Sequence, residues 1–140
     1  MKKACLLILI QATAFLDLFA APIRSFPELT SAMHTGNRFV MLLDLQQCTG
    51  KAGMPTGYIT PTAMMLVPET GTTPERVVTS HFHFTDRSGK PTYEYVKFTL
   101  YSDNTVIVQT TFYEPQSFAQ IGLPHTFNCL IGKGIEIYSE

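Results

Sequence analysis

The sequence predicts a mainly β, α+β chain: an antiparallel sheet curled into a sandwich or open barrel, with one short N-terminal helix. Three observations predict it. Between Arg76 and Tyr113 lie three long runs rich in β-branched and aromatic residues, separated by turn formers. Before them, Arg38–Leu45 is a compact apolar run with strand composition. Helical periodicity is confined to one short stretch near Ser25.

The elements follow in order. Met1-Lys2-Lys3 is a basic start, Ala4–Phe19 is mostly apolar, and Ala20-Ala21 are small residues before Pro22. That pattern predicts an export signal over residues 1–20, cleaved after Ala20, and one β-rich domain over residues 21–140. The stretch is barely long enough to span a bilayer, and Gln11 and Asp17 interrupt it, which argues against an uncleaved anchor. Cys5 leaves with the signal. Removing Lys2, Lys3 and Asp17 from 10 basic and 11 acidic residues leaves 8 and 10, a net charge of −2. Such a balance gives no basic patch for nucleic acid and no polybasic footing on an anionic membrane. No later apolar run is long enough for a membrane span. The location expected is periplasmic or secreted.

Ser25 and Glu28 have capping-box spacing. The Ser25 hydroxyl can accept from the Glu28 amide while Glu28 reaches back to the Ser25 amide. Pro27 falls in the first turn, where it is tolerated. Phe26, Leu29, Ala32 and Met33 mark one face, and Gly36 is the expected stop. Arg38–Leu45 is apolar in both phases, which predicts a strand covered on both sides. Thr49–Thr56, with two glycines and a proline, reads as loop. Gly57–Thr60 and Ala63–Val67 read as short strands.

The meander predicted is Arg76–Phe84, Thr92–Tyr101 and Thr105–Tyr113, turning at Asp86–Lys90 and Ser102–Asn104. Gln116–Pro124 reads as irregular or briefly helical. Thr126–Ile131 and Ile135–Tyr138 read as strand, bent at Gly132 and Gly134. Alternation places Val78, Phe82, Phe84, Val96, Phe98, Leu100, Val106, Val108 and Phe112 in the core. Glu94 breaks the pattern, which predicts an end of the sheet open to water. A register pairing His83 with Tyr93 and His81 with Tyr95, and then Lys97 with Gln109 and Tyr93 with Tyr113, gathers one outer face. That face holds His81, His83, Tyr93, Tyr95, Lys97, Gln109 and Tyr113, and it would suit a sugar or peptide. Tyrosine and threonine are also simply good strand formers on a wet face.

The remaining chemistry is sparse. Cys48 and Cys129, outside the cytosol, are expected to pair. Closing so long a loop contributes about 4 kcal/mol on the chain-entropy model. No Cys-x-x-Cys supports a redox alternative. His81 and His83, two apart on a strand, face the same way, and with His125 could ligate zinc if Glu75, Asp86 or Glu114 completed the set. The pattern is a weak one, and a solvated sheet face with two histidines is the commoner explanation. No Gly-x-Ser-x-Gly occurs, no paired acids can be assigned among Asp44, Glu94 and Glu114, and nothing calls for a cofactor.

The block Ser25-Phe26-Pro27-Glu28-Leu29 to Gly36, followed by Arg38-Phe39-Val40-Met41-Leu42-Leu43-Asp44-Leu45 and Cys48-Thr49, resembles the VirK family of small exported bacterial proteins. The likeness extends in layout over most of the chain after the signal; its specific part is the first third. It implies a Gram-negative host and a link to virulence. It supplies no activity and no catalytic residue. Asp44, Cys48 and Cys129 match the family pattern and are expected to be structural, whereas the His81/His83 pair is not matched to it. The function expected is that of a non-enzymatic binding protein, acting through the meander's outer face or the Gly/Pro loop at Thr49–Thr56, whose partner is a host or envelope protein or a glycan. The alternatives are a metal-dependent or other hydrolase centred on His81 and His83, and a structural component of the envelope.

Overall fold

The computed structural model of the chain describes residues 20–49, 56–87 and 89–140. The expected export signal, residues 1–20, lies outside them but for Ala20, as does the interior of the loop expected at Thr49–Thr56.

Strand β1 (Ala21–Ile23) leads into helix α1 (Phe26–His34), and β2 (Phe39–Asp44) runs into a 3-10 turn at Leu45–Gln47. Then come β3 (Thr56–Ile59), β4 (Met64–Val67), β5 (Arg76–Arg87), β6 (Lys90–Tyr101), β7 (Thr105–Tyr113), β8 (Gln120–Ile131) and β9 (Gly134–Ser139). They form one sheet in the order β3-β2-β9-β8-β7-β6-β5-β4, with β1 added beside β9. All pairings are antiparallel except the short β8–β9 contact. The sheet curls into a half-barrel, so of the two architectures expected, the open barrel is the one formed. Its border strands, β3 and β4, are consecutive in sequence and joined only by Thr60–Ala63.

The helix begins as its residues dictate. Ser25 is the N-cap, and its Oγ accepts from the Glu28 amide at 3.4 Å. Glu28 reaches back one residue further than the capping box requires, accepting from the Arg24 amide at 2.7 Å. At the other end Gly36 has φ +78°. Its amide donates to Met33 O at 3.0 Å and the Asn37 amide to Ala32 O at 3.2 Å, the paired bonds of a Schellman stop. Phe26 and Leu29 are buried in the core, with Ala32 and Met33 packed beside them. The Phe26 amide donates to Asn104 Oδ1 at 2.7 Å, which ties the start of the helix to the β6–β7 turn.

The core lies on the inner face in successive rows across the strands. Val77, Leu100, Val106 and Cys129 form one row; Thr79, Phe98, Val108 and Phe127 form the next. All eight are buried. The expected strand β2 is present but covered on one side only: Phe39 and Met41 are buried, while Leu42 on the opposite phase is 40 % exposed.

Two further sequence expectations are corrected. The β5–β6 register is one residue away from that predicted. Arg87 pairs with Lys90, so His81 faces Val96 and His83 faces Glu94, while Phe82 faces Tyr95 and Phe84 faces Tyr93. A one-residue slip moves a whole strand's side chains to the other face. Val77 and Thr79 are therefore inside, and Phe82 and Phe84, expected in the core, are 49 % and 59 % exposed. The phase is ambiguous in sequence because Val77 and Val78 are adjacent; packing of Val77 and Thr79 with Leu100 and Phe98 decides it. Gln120–Pro124, expected to be irregular or briefly helical, is the first part of β8. Gly122 and Pro124 hide it, and the ladder accommodates them with a bulge opposite Thr110–Phe112.

Candidate functional site

The corrected register divides the predicted patch between two faces. On the convex face, Phe84, Tyr93 and Tyr113 align across β5, β6 and β7, and Phe82 aligns with Tyr95 in the next row. Phe118, from the turn after β7, stacks on Tyr93 with ring centroids 5.3 Å apart and planes inclined by 16°. Phe82 and Phe84 approach the same ring at 5.0 and 5.3 Å. A shallow groove of about 300 Å³ opens between Phe82, Tyr95, Tyr113 and Phe118. Lys97 and Gln109 form the adjoining row, paired as the sequence predicts. Tyr93, Tyr95, Lys97, Gln109 and Tyr113 thus share one surface, joined by Phe82, Phe84 and Phe118. Sequence reasoning missed those three. A register that pairs Arg87 with Lys90, read in the sequence, would have found the first two.

His81 and His83 lie on the opposite, concave side. His83 Nε2 is 3.2 Å from Glu94 Oε2, and the two imidazole rings are 5.1 Å apart. His83 Nδ1 and Thr110 Oγ1 are buried and make no hydrogen bond among the described residues. The His81 imidazole titrates below its ordinary value of 6.5. Burial is the main cause and the neighbouring His83 the second, opposed in part by Glu94.

His125 shares the His81 row but sits three ladder steps away, beyond Val96 and Thr110. At the usual strand spacing that is ~14 Å, far outside a shared coordination shell. Its ring packs edge-on against Phe112 at 6.3 Å. Among the described residues no group of three or more His, Cys, Asp or Glu is placed to hold a metal ion. Glu75 and Glu114 are likewise not gathered around the histidine pair.

Cys48 and Cys129 are joined by a disulfide. The 3-10 turn brings Cys48 to β8; Asp44 Oδ2 accepts from Gln47 Nε2 at 2.6 Å across that turn. Beside the bridge, Thr49 and Asn128 exchange backbone bonds of 2.8 and 3.1 Å. Gly134, at φ +84°, lies against the disulfide so closely that a β-carbon would collide with Cys48 Sγ. No helix among the described residues is long and apolar enough to cross a membrane.

Comparison with known proteins agrees with this architecture. The chain is 26 % identical over 141 residues to the uncharacterized protein y4wH of Sinorhizobium fredii, covering 94 % of this chain and 97 % of that one. Its fold is similar to the crystal structure of lpg1832, a VirK family protein from Legionella pneumophila, with a TM-score of 0.74 and 27 % identity. That match covers 84 % of this chain and 98 % of the other. The family profile described as VirK protein matches residues 22–118. With the helix, the half-barrel and the matched span in agreement, the chain belongs to the VirK family.

Proposed function

We propose that this chain is an exported, non-enzymatic binding protein whose recognition surface is the convex aromatic face of β5, β6 and β7. The observation that carries the reading is the ring cluster itself. Phe82, Phe84 and Phe118 are 49 %, 59 % and 60 % exposed and meet around Tyr93. A contiguous exposed apolar patch of this kind marks an interaction site more often than isolated exposed rings do. The rings supply stacking area with few rotatable bonds, and Lys97 and Gln109 supply polar contacts at the border. The partner is a protein or glycan of the envelope or of a host. Export is supported by the basic and apolar start of the sequence and by the disulfide, which persists in oxidising compartments.

The test uses the disulfide-bonded protein against arrayed bacterial and host glycans and against envelope and host-surface protein fractions. Replacement of Tyr93 and Tyr95 by alanine is expected to weaken binding at least tenfold while the variant remains folded. A folded double variant that binds as the parent does would refute this placement.

A further inference from the structure

The concave face loses its apolar cover towards the β5–β6 hairpin. There a cleft of about 560 Å³ opens between the hairpin tip and the chain after β7, lined among others by Arg87, Lys90, Thr92, Glu114, Pro115 and Ile121. Its volume is that of a small-molecule site. Arg87 and Lys90 pair directly across the two strands. Like charges in that position repel, so the hairpin tip carries an electrostatic cost that a bound anion would relieve. Among the described residues no carboxylate forms an ion pair with either cation. The nearby acids are engaged elsewhere: Asp86 Oδ1 accepts from the Gly89 amide at 2.8 Å, and Glu114 Oε2 from Ser117 Oγ at 3.1 Å.

The Arg87 guanidinium lies 4.0 Å over the centre of the Phe112 ring, a contact that leaves its N–H groups without a hydrogen-bond partner among the described residues. Two cations and Glu114 leave the lining one positive charge in excess. That matches a monoanion better than a phosphate dianion. Pro115 and Ile121 offer an apolar wall beside the charges.

We propose that this cleft binds an amphiphilic organic monoanion: a carboxylate held between Arg87 and Lys90, with a short apolar body against Pro115 and Ile121. Arginine is suited to the role because its planar fork matches a carboxylate with two parallel hydrogen bonds. The site is separate from the convex aromatic face and does not depend on it.

Amide NMR titration of the disulfide-bonded protein with octanoate tests the proposal, with 1-octanol and octylamine as matched probes. Octanoate is expected to shift the Thr92 and Ile121 amides saturably and to bind at least tenfold tighter than either matched probe. The double substitution Arg87→Gln/Lys90→Gln, checked for fold by circular dichroism, is expected to weaken octanoate at least tenfold. Ile121→Glu, which leaves both cations in place, is expected to weaken it as well. Tyr93→Ala/Tyr95→Ala should leave it unchanged. No saturable shift with octanoate, equal affinity for octanol, unaltered affinity in the folded Arg87/Lys90 variant, or tighter binding of inorganic phosphate would each overturn the assignment.

Discussion

His83 and Glu94 face each other directly across β5 and β6, and the imidazole Nε2 lies 3.2 Å from the carboxylate Oε2. The pair sits on the concave side at the limit of the buried core, with side chains 37 % and 21 % exposed. It accounts for the acidic residue at which the apolar run of Val96, Phe98 and Leu100 on this phase of β6 ends. The row beside it holds His81, so two histidines and one acid share the transition from dry interior to open mouth.

The first prediction concerns pH. In the folded chain the His81 imidazole is pushed below its ordinary 6.5 by burial and by His83. The unfolded chain therefore binds more protons in the window below 6.5, and stability must fall as pH drops through it. Above that value the contribution is fully present. The thermal midpoint should decline from about pH 7.5 to about pH 5, and His81→Gln should flatten the decline, because glutamine cannot take up the proton. Glu94→Gln should steepen it, since Glu94 is the group that partly supports the protonated ring. Melting curves across that range check both.

A second prediction tests the register. Phe98 is fully buried, whereas Phe82 is 49 % exposed. Phe98→Ala should cost about 3–5 kcal/mol in denaturant unfolding. Phe82→Ala should cost about 1 kcal/mol, mainly its ring contact with Tyr93. Comparable losses at the two positions would mean that the predicted pairing of His83 with Tyr93 was right after all.

The disulfide gives a third. Replacing both Cys48 and Cys129 by alanine should lower the unfolding free energy by about 4 kcal/mol, because the bridge closes a loop of 81 residues. Urea titration of parent and variant measures it.

Gly134 gives a fourth, coupled to the last. Gly134→Ala should destabilise by roughly 2 kcal/mol, part from its positive φ and part from collision with Cys48 Sγ. In the Cys48→Ala/Cys129→Ala background the collision is relieved and the cost should shrink towards the backbone share. A double-mutant cycle reads the difference.

Much of this arrangement is legible in the residues. The Ser25 cap, the Gly36 stop, the bounds of β7 and the β6–β7 register all follow from local chemistry, because each is set by neighbours in sequence or by a short turn. The pairing of Cys48 with Cys129 is legible from their number together with the expected export signal. What misled was phase. Val77-Val78 allows two alternations in β5, and the choice between them depends on Leu100 and Phe98, more than twenty residues away. The same slip placed His81 and His83 beside tyrosines that in fact point away from them. The start of β8 was hidden for a different reason: Gly122 and Pro124 are poor strand formers held in place by their partner strand. The cleft at Arg87 and Lys90 was invisible because its walls come from the β5–β6 hairpin, the chain after β7 and the start of β8.

The Thr60–Ala63 connection has a mechanical consequence. It ties the first and last strands of the ladder to each other, and five residue steps from Ile59 to Met64 reach at most ~18 Å. The curled sheet is therefore a hoop with a short strap across its gap. It can breathe at the seam, but it cannot unroll into a flat ribbon without first breaking ladder bonds at one border.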